Sequence, residues 1–198
     1  MRTILLGNAG AGKSTMASRL IGNKNVPRLP LDEIAWGFGK LGAQMRGRVR
    51  RKHLAGGITR MPLTESLRLL HEFINSNEHW VMEGCYGDLV EAALPHCTEL
   101  RFLNPGVETC VAHCLSRPWE PSKFPSAEEQ NAMLQTLVAW VREYETRNDE
   151  YGLKQHRFIY DHFGGIKREY KTVVSYREAN KPLQPMPRRG KAELSRQD

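Results

Sequence analysis

The chain has 198 residues, 40% hydrophobic and 26% charged, with 29 Lys and Arg against 22 Asp and Glu. That length suits one domain with a sizeable core, and the longest apolar run, Leu137 to Val141, is far too short to span a bilayer. The net charge of +7 sits in one stretch: Lys40, Arg46, Arg48, Arg50, Arg51, Lys52 and Arg60 fall between Ile34 and Thr64 without an acid, leaving 22 basic against 22 acidic residues elsewhere. This is a neutral protein with a basic insert, unlike the uniformly basic surface of a nonspecific nucleic-acid binder.

Short apolar runs alternate with longer amphipathic ones. Thr3 to Leu6 predicts a first buried strand, and Lys13 to Ile21 a helix ended by Gly22. Arg28 to Leu31 predicts a second strand, at a sheet edge because Pro30 lies inside it. The basic stretch holds six Gly between Gly37 and Gly57 and reads as loop. Thr64 is placed to cap a helix to Ser76, with Leu67, Leu70, Phe73 and Ile74 on one face.

Trp80 to Met82 predicts a third strand, and Asp88 with Glu91 a capping arrangement for a short helix before Pro95. Leu100 to Leu103 predicts a fourth strand, and Asn104-Pro105 an N-cap and first turn for a helix to Ser116. Three Pro in Arg117 to Pro125 demand a loop. Ser126 and Glu129 form a capping box for a long helix whose apolar face carries Met133, Leu137, Trp140, Val141 and Tyr144. His156 to Phe163 suggests further helical turns, and Lys171 to Tyr176 a last strand.

One domain is expected over residues 1–180, with an insert at about 37–62 and a lid at about 117–125. The polar, Pro-rich tail 181–198 is expected to be disordered. Only Ile4 to Leu6 follow Met1 and Arg2 as an apolar run, too short for a signal-peptide core. Four Cys without such a signal predict reduced thiols in the cytoplasm. Alternating strands and helices predict an α/β protein with a parallel sheet covered on both faces. Ligands then gather at the carboxyl ends of the strands, here Gly7, Asp32, Glu83 and Asn104.

Gly7-Asn8-Ala9-Gly10-Ala11-Gly12-Lys13-Ser14 matches G-x-x-x-x-G-K-[ST] at every fixed position, between an apolar strand and a helix. Small residues let backbone N–H groups converge on a phosphate, and the helix adds its positive N-terminus. Lys13 would contact the β- and γ-phosphates, Ser14 would help hold Mg²⁺, and Thr15 would make a secondary contact near the α-phosphate. No Asn-Lys-x-Asp string for guanine occurs, and the length leaves little room for motor subdomains. A small kinase remains, with ATP and Mg²⁺ on residues 7–15, and it requires an acceptor site and a lid.

With the phosphate loop, Leu31 to Trp36 (LDEIAW), His79 to Leu89 (HWVMEGCYGDL) and Arg117 to Lys123 (RPWEPSK) together, the chain resembles the adenylate-kinase-like P-loop kinases. Among them it looks most like the bacterial proteins labelled DNA topology modulation or shikimate-kinase-like, over about residues 1–176. The resemblance implies a three-layer fold whose five-stranded parallel sheet has the order 2-3-1-4-5. It also implies transfer of the γ-phosphoryl of ATP·Mg²⁺ to a small acceptor.

The resemblance suggests roles beyond the phosphate loop. Asp32 would contact the acceptor and accept its hydroxyl proton; otherwise it is a surface acid capping a turn. Glu83 emerges from an apolar strand, where an unpaired acid is costly, and would orient Mg²⁺ water or else form a structural salt bridge. Arg117, and with it Lys123, would close from the lid over the phosphates; the alternative is a charge on the last carbonyls of a helix. Arg60 would bind an anionic acceptor, or else be a solvated charge. Tyr86 and Trp36 would flank an acceptor ring, or else pack.

His96, Cys97, Cys110, His113 and Cys114 lack the paired spacing of zinc ligands. For the basic insert the alternatives are an acceptor-binding flap, a nucleic-acid contact with salt-sensitive affinity, or a solvated loop. The preferred reading is a cytoplasmic phosphotransferase with a small, anionic acceptor and no membrane partner. An ATP-binding regulator on nucleic acid is the second.

Overall fold

The computed structural model describes residues 1–37, 60–121 and 124–173. Five strands form one parallel sheet: β1 (Arg2–Gly7), β2 (Arg28–Pro30), β3 (Trp80–Gly84), β4 (Glu99–Leu103) and β5 (Ile166–Tyr170), in the order β2-β3-β1-β4-β5. Seven α-helices lie among the described residues: α1 (Lys13–Ile21), α2 (Leu31–Trp36), α3 (Leu63–Ser76), α4 (Gly87–Ala93), α5 (Val107–Leu115), α6 (Ala127–Arg142) and α7 (Leu153–His162). The expected sheet order and the helical layers on both faces are present.

Alternation along the strands sorts the side chains between two cores. Ile4, Leu6, Trp80, Met82, Leu100 and Phe102 join α2, α3, α4 and α7 on one face. Leu5, Val81 and Leu103 join α1, α5 and α6 on the other. Strands buried on both faces are largely apolar, as Ile4 to Leu6 of β1 and Trp80 to Met82 of β3 are. Each fully buried side chain such as Leu5 or Met82 contributes about 1.5–3 kcal/mol.

The last strand differs from expectation. It is Ile166–Tyr170, and residues 171–173 lie outside it. β5 borders only β4, so Lys167, Arg168 and Glu169 can meet solvent or local partners there. Glu169 accepts two bonds from the Arg157 guanidinium at 2.6 and 2.9 Å. Thr172 and Val173, expected in the last strand, lie outside it, and 174–176 fall outside the described residues.

Three helix starts also differ. Pro62, not Thr64, precedes α3, and its carbonyl accepts from Glu65 and Ser66. Asn104 extends the β4 pairing through its N–H to Tyr170 O at 2.8 Å, so α5 begins after Gly106. Asp88 lies within the first turn of α4 and is engaged by Arg60, while Tyr86 occupies the N-cap.

Ser126 does cap α6, its hydroxyl accepting from Glu129 N at 3.2 Å. Along α6 only Val141 is buried; Met133, expected on the apolar face, is 51% exposed. Tyr144 is buried from the short 3₁₀ turn that follows. Most of the basic insert (38–59), Lys123 and the tail (181–198) lie outside the described residues.

Register places the carboxyl ends of the central strands side by side. Leu6 pairs Gly84, Gly7 pairs Leu103, and Pro30 pairs Glu83. The loops leaving β1, β2 and β3 therefore open onto one edge of the sheet.

Candidate active site at the phosphate loop

A cavity of about 900 Å³ occupies that edge. Residues 9–16 form one wall; Asp32 and Glu83 face it from the β2 and β3 side, and Arg117 and Glu120 from the lid. The structure thus brings the phosphate loop, Asp32, Glu83 and Arg117 to one cavity. Arg60 and Tyr86 are not part of its wall.

The loop conformation depends on glycine at two points. Gly10 has φ +79°, and a Cβ there would lie 2.2 Å from Cys110 O. Gly12 has φ +87° and leads directly into α1. The Asn8 side chain pins the loop, accepting from Ala9 N at 2.8 Å and donating to Val141 O at 3.1 Å. His113 on α5 adds a bond from Nδ1 to Gly10 O at 2.7 Å. A carbonyl only accepts, so that nitrogen carries the proton.

Lys13 is buried, its Nζ donating to Gly7 O at 3.0 Å and Asn8 O at 2.7 Å. The ammonium is held at the loop by carbonyls that an anion can replace. Ser14 Oγ donates to Glu83 Oε1 at 2.7 Å, and Arg28 Nη2 engages the same oxygen. Glu83 is 6% exposed, and these two donors satisfy a charge that burial would otherwise penalise. Of the two alternatives expected for Glu83, the salt bridge is present, to Arg28.

Asp32 opens α2, and its Oδ1 accepts from Tyr86 Oη at 2.6 Å. The same Tyr86 oxygen accepts from Trp36 Nε1 at 2.6 Å. Tyr86 is 3% exposed, and burial holds its phenol far above the ordinary range. Arg60 lies behind it, 5.3 Å above the Tyr86 ring and 5.5 Å from the Tyr151 ring. Its guanidinium is paired with Asp88 at 2.8 Å and Glu150 at 2.6 Å. Two carboxylates thus share the cation expected to meet an acceptor.

Arg117 faces the cavity and pairs with Glu120 at 3.3 Å. Gln130 braces the segment after α5, donating to Pro118 O at 3.1 Å and accepting from Glu120 N at 2.8 Å. Burial pushes the Cys85 thiol up to about 12 and the Cys110 thiol up to about 11. Among the described residues no group of three His, Cys, Asp or Glu is arranged to hold a metal ion.

Sequence reasoning missed Arg28, His113 and Gln130. Arg28 carried no signal, because its partner lies on a different strand. His113 stands four residues before Arg117, which places both on one face of α5 and its extension.

Five parallel strands in the order 2-3-1-4-5, a phosphate loop between β1 and α1, and helices on both faces define the three-layer P-loop kinase fold. No protein-family model matches the chain, and no curated protein is significantly similar. Among solved structures, shikimate kinase from Aquifex aeolicus is similar at 17% identity, covering 91% of this chain and 92% of its own, with a TM-score of 0.45. A sugar kinase from a Janibacter species is similar at 12% identity, covering 90% and 88%, also with a TM-score of 0.45. The fold assignment rests on the strand order and the loop, since likenesses of this depth identify no substrate.

Proposed function

We propose that this chain is an ATP-dependent phosphotransferase that moves the γ-phosphoryl of ATP to a hydroxyl of a small molecule. The observation that carries the reading is the Ser14–Glu83 bond at 2.7 Å beside Lys13, in a cavity that also holds Asp32 and Arg117. The loop N–H groups and the start of α1 favour phosphate oxygens. Lys13 exchanges Gly7 O and Asn8 O for those oxygens, and Arg117 exchanges Glu120 for them as the lid closes.

Ser14 and Glu83 offer hard oxygen donors at one point, which suits Mg²⁺ held largely through water and phosphate. When bound, Mg²⁺ supplies neutralisation of phosphate charge. Asp32 accepts the proton of the attacking hydroxyl, and the rest of catalysis is positioning and charge stabilisation.

The acceptor is proposed as a hydroxyl-bearing metabolite, such as a nucleoside or a related alcohol. An anionic acceptor gains no support from Arg60, whose charge Asp88 and Glu150 already share. The regulator reading rests on insert cations outside the described residues, and no observation favours it.

Mass spectrometry of a metabolite panel incubated with ATP, Mg²⁺ and the protein tests the reading. One product heavier by a phosphoryl group is expected, and it should form about 10²–10⁴-fold more slowly with Asp32→Asn. Absence of both product formation and ATP hydrolysis under every condition would overturn the proposal.

A further inference from the structure

Three side chains from two separate parts of the chain meet at one buried oxygen. Trp36 ends α2, Asp32 opens it, and Tyr86 follows β3. The Tyr86 hydroxyl lies 2.6 Å from Trp36 Nε1 and 2.6 Å from Asp32 Oδ1. An indole nitrogen only donates and a carboxylate only accepts. The single phenolic proton is therefore committed to Asp32, and the bond order Trp36 to Tyr86 to Asp32 runs one way. A tyrosine without the indole could turn its proton elsewhere; with it, the buried hydroxyl is satisfied only by pointing at the carboxylate.

The ring is held as firmly as the hydroxyl. Tyr151 meets it edge-on at 5.5 Å, and the Arg60 guanidinium lies 5.3 Å from its centroid. Arg60 is itself fixed by Asp88 and Glu150. Met61 N donates to Ala35 O at 2.8 Å, tying the segment after Arg60 to the helix that carries Asp32 and Trp36. Tyr86 is thus immobilised on every side, although it does not line the cavity that Asp32 faces.

We propose that Tyr86 and Trp36 are positioning residues that fix the orientation of Asp32 for proton acceptance. The inference rests on the assignment of Asp32 given above. A hydroxyl donor on Oδ1 holds the carboxylate plane in one setting, so the acceptor meets a preorganised base rather than a rotating one. The phenol itself does not exchange its proton in this arrangement, because burial keeps it protonated throughout the working range.

The test compares Tyr86→Phe, Trp36→Phe, Asp32→Asn and the double variant Tyr86→Phe/Asp32→Asn. Tyr86→Phe keeps the ring and Asp32→Asn keeps the side-chain shape, while Trp36→Phe keeps an aromatic ring without the indole N–H. In protein labelled with ¹⁵N, four Trp give four indole signals, and Trp36→Phe identifies the one that matters. That signal is expected to move in both Tyr86→Phe and Asp32→Asn, while those of Trp80 and Trp119 stay in place.

With the acceptor found in the metabolite panel, Tyr86→Phe is expected to lower kcat roughly 10- to 100-fold. The KM for ATP should be unchanged, and the double variant should be no slower than Asp32→Asn alone. An indole signal indifferent to Tyr86→Phe overturns the proposal, as does an unchanged kcat. If wild-type protein phosphorylates nothing, the phosphotransferase reading fails, and the indole signals alone then decide the relay: movement supports it and constancy overturns it.

Discussion

The Ser14 hydroxyl and the Glu83 carboxylate, 69 residues apart in sequence, meet at 2.7 Å. The pairing of β1 with β3 produces this contact. Leu6 stands opposite Gly84, so the loop leaving β1 and the acid ending β3 reach the same edge of the sheet. Arg28 reaches the same oxygen from β2, the next strand out. Residues from β2, from β3 and from the helix that follows β1 therefore build one charged cluster beside the phosphate loop.

Lys13→Ala is expected to reduce ATP turnover by about 10²–10³-fold, the usual effect of deleting one preorganised charge donor. Gly7 O and Asn8 O lose the Lys13 ammonium, with Ala11 N still donating to Asn8 O at 3.2 Å, at a cost of about 1–3 kcal/mol. Coupled-enzyme assay of ATP turnover, with circular dichroism to verify folding, checks this. Wild-type turnover in a folded variant would remove Lys13 from the mechanism.

Arg28→Ala leaves the almost buried Glu83 with Ser14 as its remaining identified donor. The Arg28 side chain is 29% exposed, so solvent replaces part of the lost interaction, and a destabilisation of about 1–2 kcal/mol is expected. Urea unfolding measures it. The double variant Arg28→Ala/Glu83→Gln should recover part of the loss, because the charge left behind is then removed.

His156 is fully buried, with Nδ1 2.8 Å from the Tyr144 hydroxyl and Nε2 3.0 Å from Cys85 O. Burial pushes its imidazolium down to about 4, against an ordinary value of 6.5. The folded ring stays neutral while the unfolded ring binds a proton, so stability falls as pH drops from about 6.5 towards about 4. It levels off below that window. The linked loss is on the order of 3 kcal/mol. Urea midpoints in that range measure it, and His156→Gln should flatten the slope.

Local features were legible without the fold. The phosphate loop, the helix from Lys13 to Ile21, the edge strand at Pro30 and the Ser126 cap each depend on residues within a few positions of one another. Where sequence reasoning erred, a distant partner had intervened. Asp88 is drawn to Arg60, Asn104 is held by Tyr170, and β5 tolerates charges because it borders a single strand.

The sequence by itself marked residues 7–15 as a phosphate-loop pattern and determined that a parallel α/β sheet would carry it. Only the tertiary structure decided what faces it: Glu83 shared between Ser14 and Arg28, Asp32 held through Tyr86 by Trp36, and His113 seated on Gly10. The +7 excess divides the same way. Its placement in one Gly-rich stretch was plain from composition, whereas the spending of Arg60 on Asp88 and Glu150 was not. Backbone preferences act over a few residues and leave their mark in a short string. Hydrogen bonds between side chains require the register of strands and the docking of helices, which no single segment encodes.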